Sequence, residues 1–395
     1  MGVAGKHVLI IVENLPLPFD KRVWQEANAL KDAGADVSII CPQMKGFLKP
    51  YERINDIDIY RHPLPPEGTG GLGYLIEYSA SLFWEFFYTL RIFLKKRVHI
   101  IHGCCPPDLI FMVAAPFRLL GTRYVFDHHD LSPELFFTKF GKKGLFHTLL
   151  KWFERATFGL ASYSIATNGS FKKIAIERGG MSPEKVQIVR SGPDLNRLRI
   201  QEPKTELKRG KQFLIGYLGI IAEQDGLDLL VKIARIIKDR RGDVQFAIMG
   251  GGTELENVKS LAKELEVDDM VEFYGMVSDN TIMNDVLNTC DVCVNPDVPD
   301  ELNTLLTTNK VMEYMAVGKP VVQYDLKEGR FSAEEASLYA KNDSLEDFAD
   351  KIELLLDNPE KRKQMGDFGR NRVVNELSWD FERTKLVRFY DAMFD

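Results

Sequence analysis

Twice along its length the chain settles into an alternation of short β-branched runs and amphipathic stretches, with a polar stretch (193–212) between the two series. In the first series "KHVLIIVE" (6–13) reads as a strand. "KRVWQEANALKDAGADVSIICP" (21–42) reads as a helix, a glycine turn and a second strand, with Val23, Ala27, Leu30, Val37, Ile39 and Ile40 supplying the apolar faces. Strands are expected again at 57–63, 98–104, 123–129, 163–167 and 185–192, and helices over 106–120, 144–161 and 170–178. The second series has strands at 213–219, 244–252, 271–275, 290–296 and 319–325, with helices over 226–240, 254–266 and 309–318 and a helical tail, 343–395. Strands that alternate with helices need a parallel sheet covered on both faces.

The expected architecture is therefore α/β, with two doubly wound Rossmann-like domains facing a central cleft. The first domain spans 1–195 and the second 196–378, while 379–395 forms a terminal helix that packs back on the first. A chain of 395 residues exceeds what one hydrophobic core supports. In such sheets ligands bind beyond the C-terminal ends of the strands, and two facing domains put the site between them.

Apolar residues at 45% and charged residues at 27% exclude a disordered or membrane-spanning chain. A net charge of −6 argues against a nucleic-acid binder, so no nucleic-acid partner is expected. The opening "MGVAGKHVLIIVEN" reaches a strand-like run too early for a secretory signal, and Lys6 stands where myristoylation needs Ser or Thr. Five cysteines, an odd and low count, suggest reduced thiols and a cytoplasmic location. Cys290 and Cys293 form a lone CxxC with no further ligands nearby, which reads as two core residues of a strand; no metal site is expected.

Seven histidines are present, and two of them stand side by side in "FDHHDLSPELF" (126–136), at the C-terminal end of an expected strand. A loop histidine there can orient a hydroxyl or donate a hydrogen bond near neutral pH. Strand alternation sends neighbours to opposite faces, so one ring packs inward, and His128 is the better choice for that. His129 and Asp130 are the candidate catalytic pair, Asp130 either orienting His129 or capping the next helix.

"GYLGIIAEQDG" (216–226) and "GGG" (250–252) each lie between a strand and a helix, where glycines let backbone N–H groups approach a phosphate. Gly219, Gln224 and Gly251 are candidates for contact with a bound nucleotide. On the helix "NKVMEYMAVG", Val311, Met312 and Met315 read as core. Glu313 needs a partner if buried, and either a sugar diol or a structural arginine would serve.

"SLFWEFFYTLRIFLKKRVH" (81–99) carries Phe83, Phe86, Phe87, Leu90, Phe93 and Leu94 at helical spacing and ends in Lys95, Lys96 and Arg97. Glu85 and Arg91 interrupt it, so it does not span a bilayer. It reads as a helix packed on the sheet or as an interfacial helix touching anionic lipid, with Lys139, Lys142, Lys143, His147 and Lys151 extending a basic face.

Taken in order, "FDHHDLSPELF", "VRSGPDLNRL" (189–198), "GYLGIIAEQDG" and "NKVMEYMAVGKPVVQYDLKEGRFSA" resemble glycosyltransferase family 4 of the GT-B fold, in its bacterial surface-polysaccharide branch. The resemblance covers nearly the whole chain. It implies a UDP- or GDP-linked sugar donor on the second domain, a glycan or lipid-linked acceptor on the first, retention of anomeric configuration, and no metal or cofactor. It places the enzyme in the cytoplasm and allows contact with the inner face of the membrane through 81–99.

By the same resemblance His129 contacts the donor sugar and Glu313 the nucleotide ribose, and Ser191, Gly192, Pro193 and Asp194 form the turn into the linker. Asp20, Arg22 and Glu134 are expected on acceptor-side loops. Two departures from the family pattern stand out. Leu305 stands where the family often has a first glutamate, and Tyr217 and Asp225 stand where it often has an Arg and a Lys for the diphosphate. Arg190, Lys310 and Arg330 are the candidate replacements, and Glu328 or Glu334 could replace the glutamate. Two other readings remain: a nucleotide-sugar epimerase of the same architecture, and a non-catalytic partner subunit.

Overall fold

The computed structural model describes all residues except residue 1, residues 65–69, Ser278 and Asp343, and the side chains of residues 70–75 and Lys139. It separates into two units, one of residues 1–191 with 382–395, the other of residues 192–381.

The first unit is built on eight strands: β1 His7–Ile11, β2 Asp36–Pro42, β3 Tyr51–Ile54, β4 Ile57–His62, β5 Ile100–Cys104, β6 Arg123–His128, β7 Tyr163–Ala166 and β8 Val186–Ile188. Their order in the sheet is β3-β4-β2-β1-β5-β6-β7-β8, all parallel except β3 against β4. Helices α1 Lys21–Asp32, α2 Gly70–Lys95, α3 Phe111–Leu119, α4 Ser132–Phe140, α5 Leu145–Leu160 and α6 Gly169–Glu177 belong to it. β1 reads HVLII and is buried at every position, as a central parallel strand covered on both faces must be. From β1 the chain winds to one edge, and from β5 to the other. The sheet therefore changes direction between β1 and β5, the place in such sheets where ligands bind, beyond the C-terminal strand ends.

The second unit has six parallel strands: β9 Phe213–Leu218, β10 Val244–Met249, β11 Val271–Gly275, β12 Val292–Asn295, β13 Val321–Tyr324 and β14 Ser337–Ala340, ordered β11-β10-β9-β12-β13-β14. Its change of direction falls between β9 and β12. Helices α7 Leu227–Arg240, α8 Leu255–Glu264, α9 Asn280–Thr289, α10 Asn309–Ala316, α11 Lys327–Ala333, α12 Leu345–Leu356 and α13 Pro359–Arg372 cover it. Helix α14 spans Trp379–Ala392, and its residues from Glu382 onward belong to the first unit. Cys290 and Cys293 lie in the apolar core under α10, each fully enclosed.

Three features differ from the sequence expectation. The stretch 193–212 is not a free linker: α9 presents Asn284, Asn288 and Thr289, which accept the backbone N–H groups of Arg199, Gln201 and Lys204 at 2.9–3.0 Å. The side-chain amides of Asn284 and Asn288 also donate to the carbonyls of Arg197 and Arg199.

Helix α2 begins well before residue 81, and its faces are reversed. Ser81, Glu85, Thr89 and Ile92 are buried at helical spacing, while Phe83, Phe86, Phe87, Leu90 and Leu94 face outward, Phe83 with 63% and Leu94 with 76% of their surface exposed. Of the apolar stripe, Phe93 does turn in, its ring 5.1 Å from that of Phe117 on α3. Among the residues proposed to extend the basic face, His147 is buried, and Lys139 lies outside the described side chains.

Candidate active site

At the C-terminal edge of the first sheet, β6 ends in Asp127 and His128, and His129 follows. Residues 127 and 129 are two apart in an extended chain and share a face. The carboxylate Oδ2 of Asp127 stands 3.0 Å from Nδ1 of His129. Asp127 is fully buried, and the His129 ring keeps 11% of its surface exposed. Arg22, on the first turn of α1, grips the same carboxylate from the other side, with Nη2 to Oδ1 at 2.8 Å and Nε to Oδ2 at 3.3 Å. Its Nη2 also pairs with Glu26 at 2.9 Å, and its Nη1 donates to the Val189 carbonyl and the Ser191 hydroxyl.

These contacts set the protonation states. Burial pushes the Asp127 carboxyl toward its neutral form, but Arg22 and His129 overcome it and hold it well below the usual carboxylate range. Burial disfavours the His129 imidazolium, and Asp127 reverses that, raising it to about 9. At neutral pH His129 is thus a cation with Nδ1–H committed to Asp127 and Nε2–H available as a donor. Burial and the neighbouring Asp127 carry Glu26 up to about 7 against the pull of Arg22.

The expected partner of His129, Asp130, is corrected to Asp127. Asp130 gives its backbone N–H to the Cys105 sulfur at 3.2 Å, and α4 starts from Leu131 with no side-chain cap. Asp20 is the N-cap of α1, accepting the Val23 N–H at 3.1 Å, and Arg22 is turned inward to Asp127, so neither is a free loop residue. Glu134 lies in the first turn of α4 and pairs with Arg178, which also holds Glu154. Arg190 is buried beside Glu382, which accepts its backbone N–H at 2.9 Å. His128 does pack inward, its ring against Phe126, Phe158 and Phe171, and burial lowers it to about 3, keeping it neutral.

His102, Cys104 and Asp127 bring their ligand atoms within 4.8 Å of one another, a spacing a metal could use. Burial keeps the Cys104 thiol protonated, and Arg22 already supplies the positive charge at Asp127, so this cluster is not suited to a cation.

In the second unit the change of direction between β9 and β12 carries the two glycine turns. A side chain at Gly250 would strike the Gly219 carbonyl, and one at Gly252 the Ile221 carbonyl. The glycines thus let the two turns pack backbone to backbone, and the Ile221 N–H donates to the Gly251 carbonyl at 3.1 Å. The carbonyl of Gln224 accepts from the Asn303 side chain and the Val298 N–H, which fixes the loop after β12 to the first turn.

Lys310, on α10, reaches beneath Gly219. Its ammonium is 2.8 Å from Asp297, 3.3 Å from Asp225 and 3.2 Å from the Tyr217 hydroxyl. Tyr217 and Asp225, which looked like losses from a phosphate site, are partners of Lys310. One lysine facing two carboxylates offers no free positive charge. Glu313 is ion-paired with Arg197, the structural arginine among its two expected partners. Arg330 is corrected: on α11 it grips Asp325 with two hydrogen bonds of 2.7 and 2.6 Å and stacks 3.9 Å from the centre of the Tyr339 ring.

The two Rossmann-like units are those of a GT-B glycosyltransferase. A family model described as "Glycosyltransferase Family 4" matches residues 21–197, and one described as "Glycosyl transferases group 1" matches 199–372. The chain belongs to glycosyltransferase family 4. An uncharacterized glycosyltransferase of Haemophilus influenzae is 27% identical over 188 residues, 47% of this chain and 50% of that protein, so the chain spans about half the length of the curated relatives it first matches. Sucrose-phosphate synthase from Thermosynechococcus elongatus has a similar fold, with TM-score 0.80 at 17% identity over 98% of this chain and 99% of that one. Anabaena HepE in complex with UDP and glucose gives TM-score 0.74 at 14% identity, covering 97% and 98%.

The raised His129 has a thermodynamic consequence. The folded chain binds this proton more tightly than the unfolded one, so its contribution is complete below about pH 6.5 and is lost as pH rises through about 9. Stability is therefore expected to fall over that window. Asp127→Asn should flatten this dependence and cost about 3–5 kcal/mol, because Arg22 and His129 lose the carboxylate they share and Glu26 alone is left to face Arg22. Denaturant unfolding at pH 6, 7.5 and 9 checks both; an Asp127→Asn chain as stable as the parent would show that the pair carries little.

Proposed function

We propose that the chain is a retaining glycosyltransferase that moves a sugar from a UDP- or GDP-linked donor to a glycan or lipid-linked acceptor in surface-polysaccharide assembly. The observation that carries this reading is the ring of His129, held 3.0 Å from the buried Asp127 carboxylate at the C-terminal edge of its sheet, a geometry that favours the imidazolium. Departure of a nucleoside diphosphate places negative charge on phosphate oxygens. A preorganised cation stabilises such charge far better than mobile water does. At neutral pH His129 holds a proton on each nitrogen, so it donates a hydrogen bond and does not act as a base. The leaving phosphate then takes the acceptor proton, and no protein nucleophile and no metal are required. The UDP and glucose held by the similarly folded Anabaena protein support a nucleotide-sugar donor.

The membrane part of the proposal rests on the outward face of α2. Phe83, Phe86, Phe87, Leu90 and Leu94 are exposed beside Arg91, Lys95, Lys96 and Arg97. On α5, Leu145, Phe146, Leu149 and Trp152 are also exposed, near Lys142 and Lys151. Exposed aromatic side chains edged by basic ones suit an anionic lipid surface. No helix among the described residues is long and apolar enough to cross a membrane.

One observation favours a different reading, the non-catalytic partner subunit: Asp225 and Asp297 neutralise Lys310 where a diphosphate would need charge. Calorimetric titration with UDP and GDP without added metal separates the two. Binding of one nucleotide is expected, and His129→Ala should retain that binding while losing transfer from the matching sugar nucleotide. Absence of binding to either favours the partner subunit. For the lipid surface, co-sedimentation with phosphatidylglycerol vesicles is expected to exceed that with phosphatidylcholine several-fold and to drop in a Phe83→Ser/Phe87→Ser variant. Equal recovery with both lipids would refute the membrane contact.

A further inference from the structure

The back of the His129 site is closed by the last helix of the chain. Within the first unit, the Tyr390 hydroxyl lies 2.6 Å from Nδ1 of His102 on β5, and the two rings stack at 22°. Both side chains are fully buried. The other ring nitrogen of His102, Nε2, sits 3.6 Å from Oδ2 of Asp127 and 3.6 Å from Oε2 of Glu26. Asp127 Oδ2 is the atom that faces His129 Nδ1. A line of polar groups thus runs Tyr390, His102, Asp127, His129 from the tail helix to the candidate active site.

We propose that Tyr390 is a positioning residue for His129: its hydroxyl donates to His102 Nδ1 and so fixes the tautomer in which His102 Nε2–H faces Asp127 and Glu26. The inference rests on His129 being the working group of the site. The opposite arrangement is unfavourable at both ends. With the proton on Nδ1, the Nε2 lone pair would face the ionised Asp127 carboxylate at 3.6 Å, and a protonated Glu26, also 3.6 Å away, would be its one donor in reach. With the proton on Nε2, the N–H dipole points at both carboxyls and opposes rotation of Asp127 away from His129. Burial holds the Tyr390 phenol well above its ordinary range, so it remains a donor at any pH the fold survives.

The hydroxyl is held firmly in place. Glu382, earlier on α14, accepts the Arg190 N–H, and Asp391, next to Tyr390, accepts the Val3 N–H at 2.7 Å. The Phe394 ring lies under the guanidinium of Arg123 at 4.6 Å. Removing only the hydroxyl, by Tyr390→Phe, keeps the stacked ring and these anchors.

The test is long-range 1H–15N correlation on the full chain labelled at histidine, with His102 and His129 assigned through His102→Gln and His129→Gln. In the parent chain His102 is expected wholly as the Nε2–H tautomer. In Tyr390→Phe it should become a tautomer mixture, and the Nδ1–H of His129 should exchange faster with water while the overall fold is kept. Phe394→Leu, which disturbs the anchor just after the same helix without touching the hydroxyl, should leave both signals alone. An Nδ1–H tautomer of His102 in the parent overturns the proposal, and this reading does not depend on Tyr390→Phe folding. So does a folded Tyr390→Phe chain in which both histidines are unchanged. A chain that behaves as expected here but transfers no sugar would refute the proposed function and leave the relay standing.

Discussion

A carboxylate buried away from solvent has to be neutralised, and in the first unit everything near the candidate site is arranged around Asp127. Transfer of an isolated carboxylate into a protein interior costs several kcal/mol. Here two cations meet it: Arg22 from α1 and His129 from the turn after its own strand. Because Arg22 is bound to the Val189 carbonyl and the Ser191 hydroxyl as well, the same guanidinium fixes the end of the segment that leaves β8. The charged histidine is therefore a consequence of the packing. Its protonation state follows from a buried acid, and the acid is tolerable only because α1 and the turn after β6 bring the counter-charges to it.

The second unit solves its own problem at the corresponding place, between β9 and β12. Two turns must pass close enough for backbone to touch backbone, which glycine permits at Gly250 and Gly252. A buried lysine beneath them is balanced by Asp225 and Asp297 and by the Tyr217 hydroxyl. Burial raises the Asp225 carboxyl and Lys310 opposes the rise, so part of the cation's field is already taken up.

Much of this was legible in the sequence because period-two and period-3.6 patterning report burial directly. The two-fold β/α series, the packing ring of His128, the core role of Cys290 and Cys293 and the helix around Glu313 all follow from it. What escaped the reading depends on direction or on partners distant in sequence. Asp127 could have been found, since it and His129 share strand parity, whereas Asp130 does not. The pairing of Arg22 with Asp127, and the roles of Asp297 and Arg197, could not, because each is defined by a partner more than ten residues away in sequence. Helix α2 misled for a physical reason. Its most apolar face is the outer one, and the small or shielded polar groups Ser81, Glu85 and Thr89 lie inward, so amphipathicity alone gives the wrong orientation.

Stabilisation of a departing diphosphate by His129 requires the ring to be a cation at physiological pH, so its own titration is the most direct test. Following the His129 ring nitrogens by 15N resonance from pH 5 to 10 in the parent chain should give a midpoint near 9. A midpoint at or below about 6.5 would mean that Asp127 does not hold the proton on the ring. The site would then present a neutral imidazole, and the electrostatic argument for a departing diphosphate would fail.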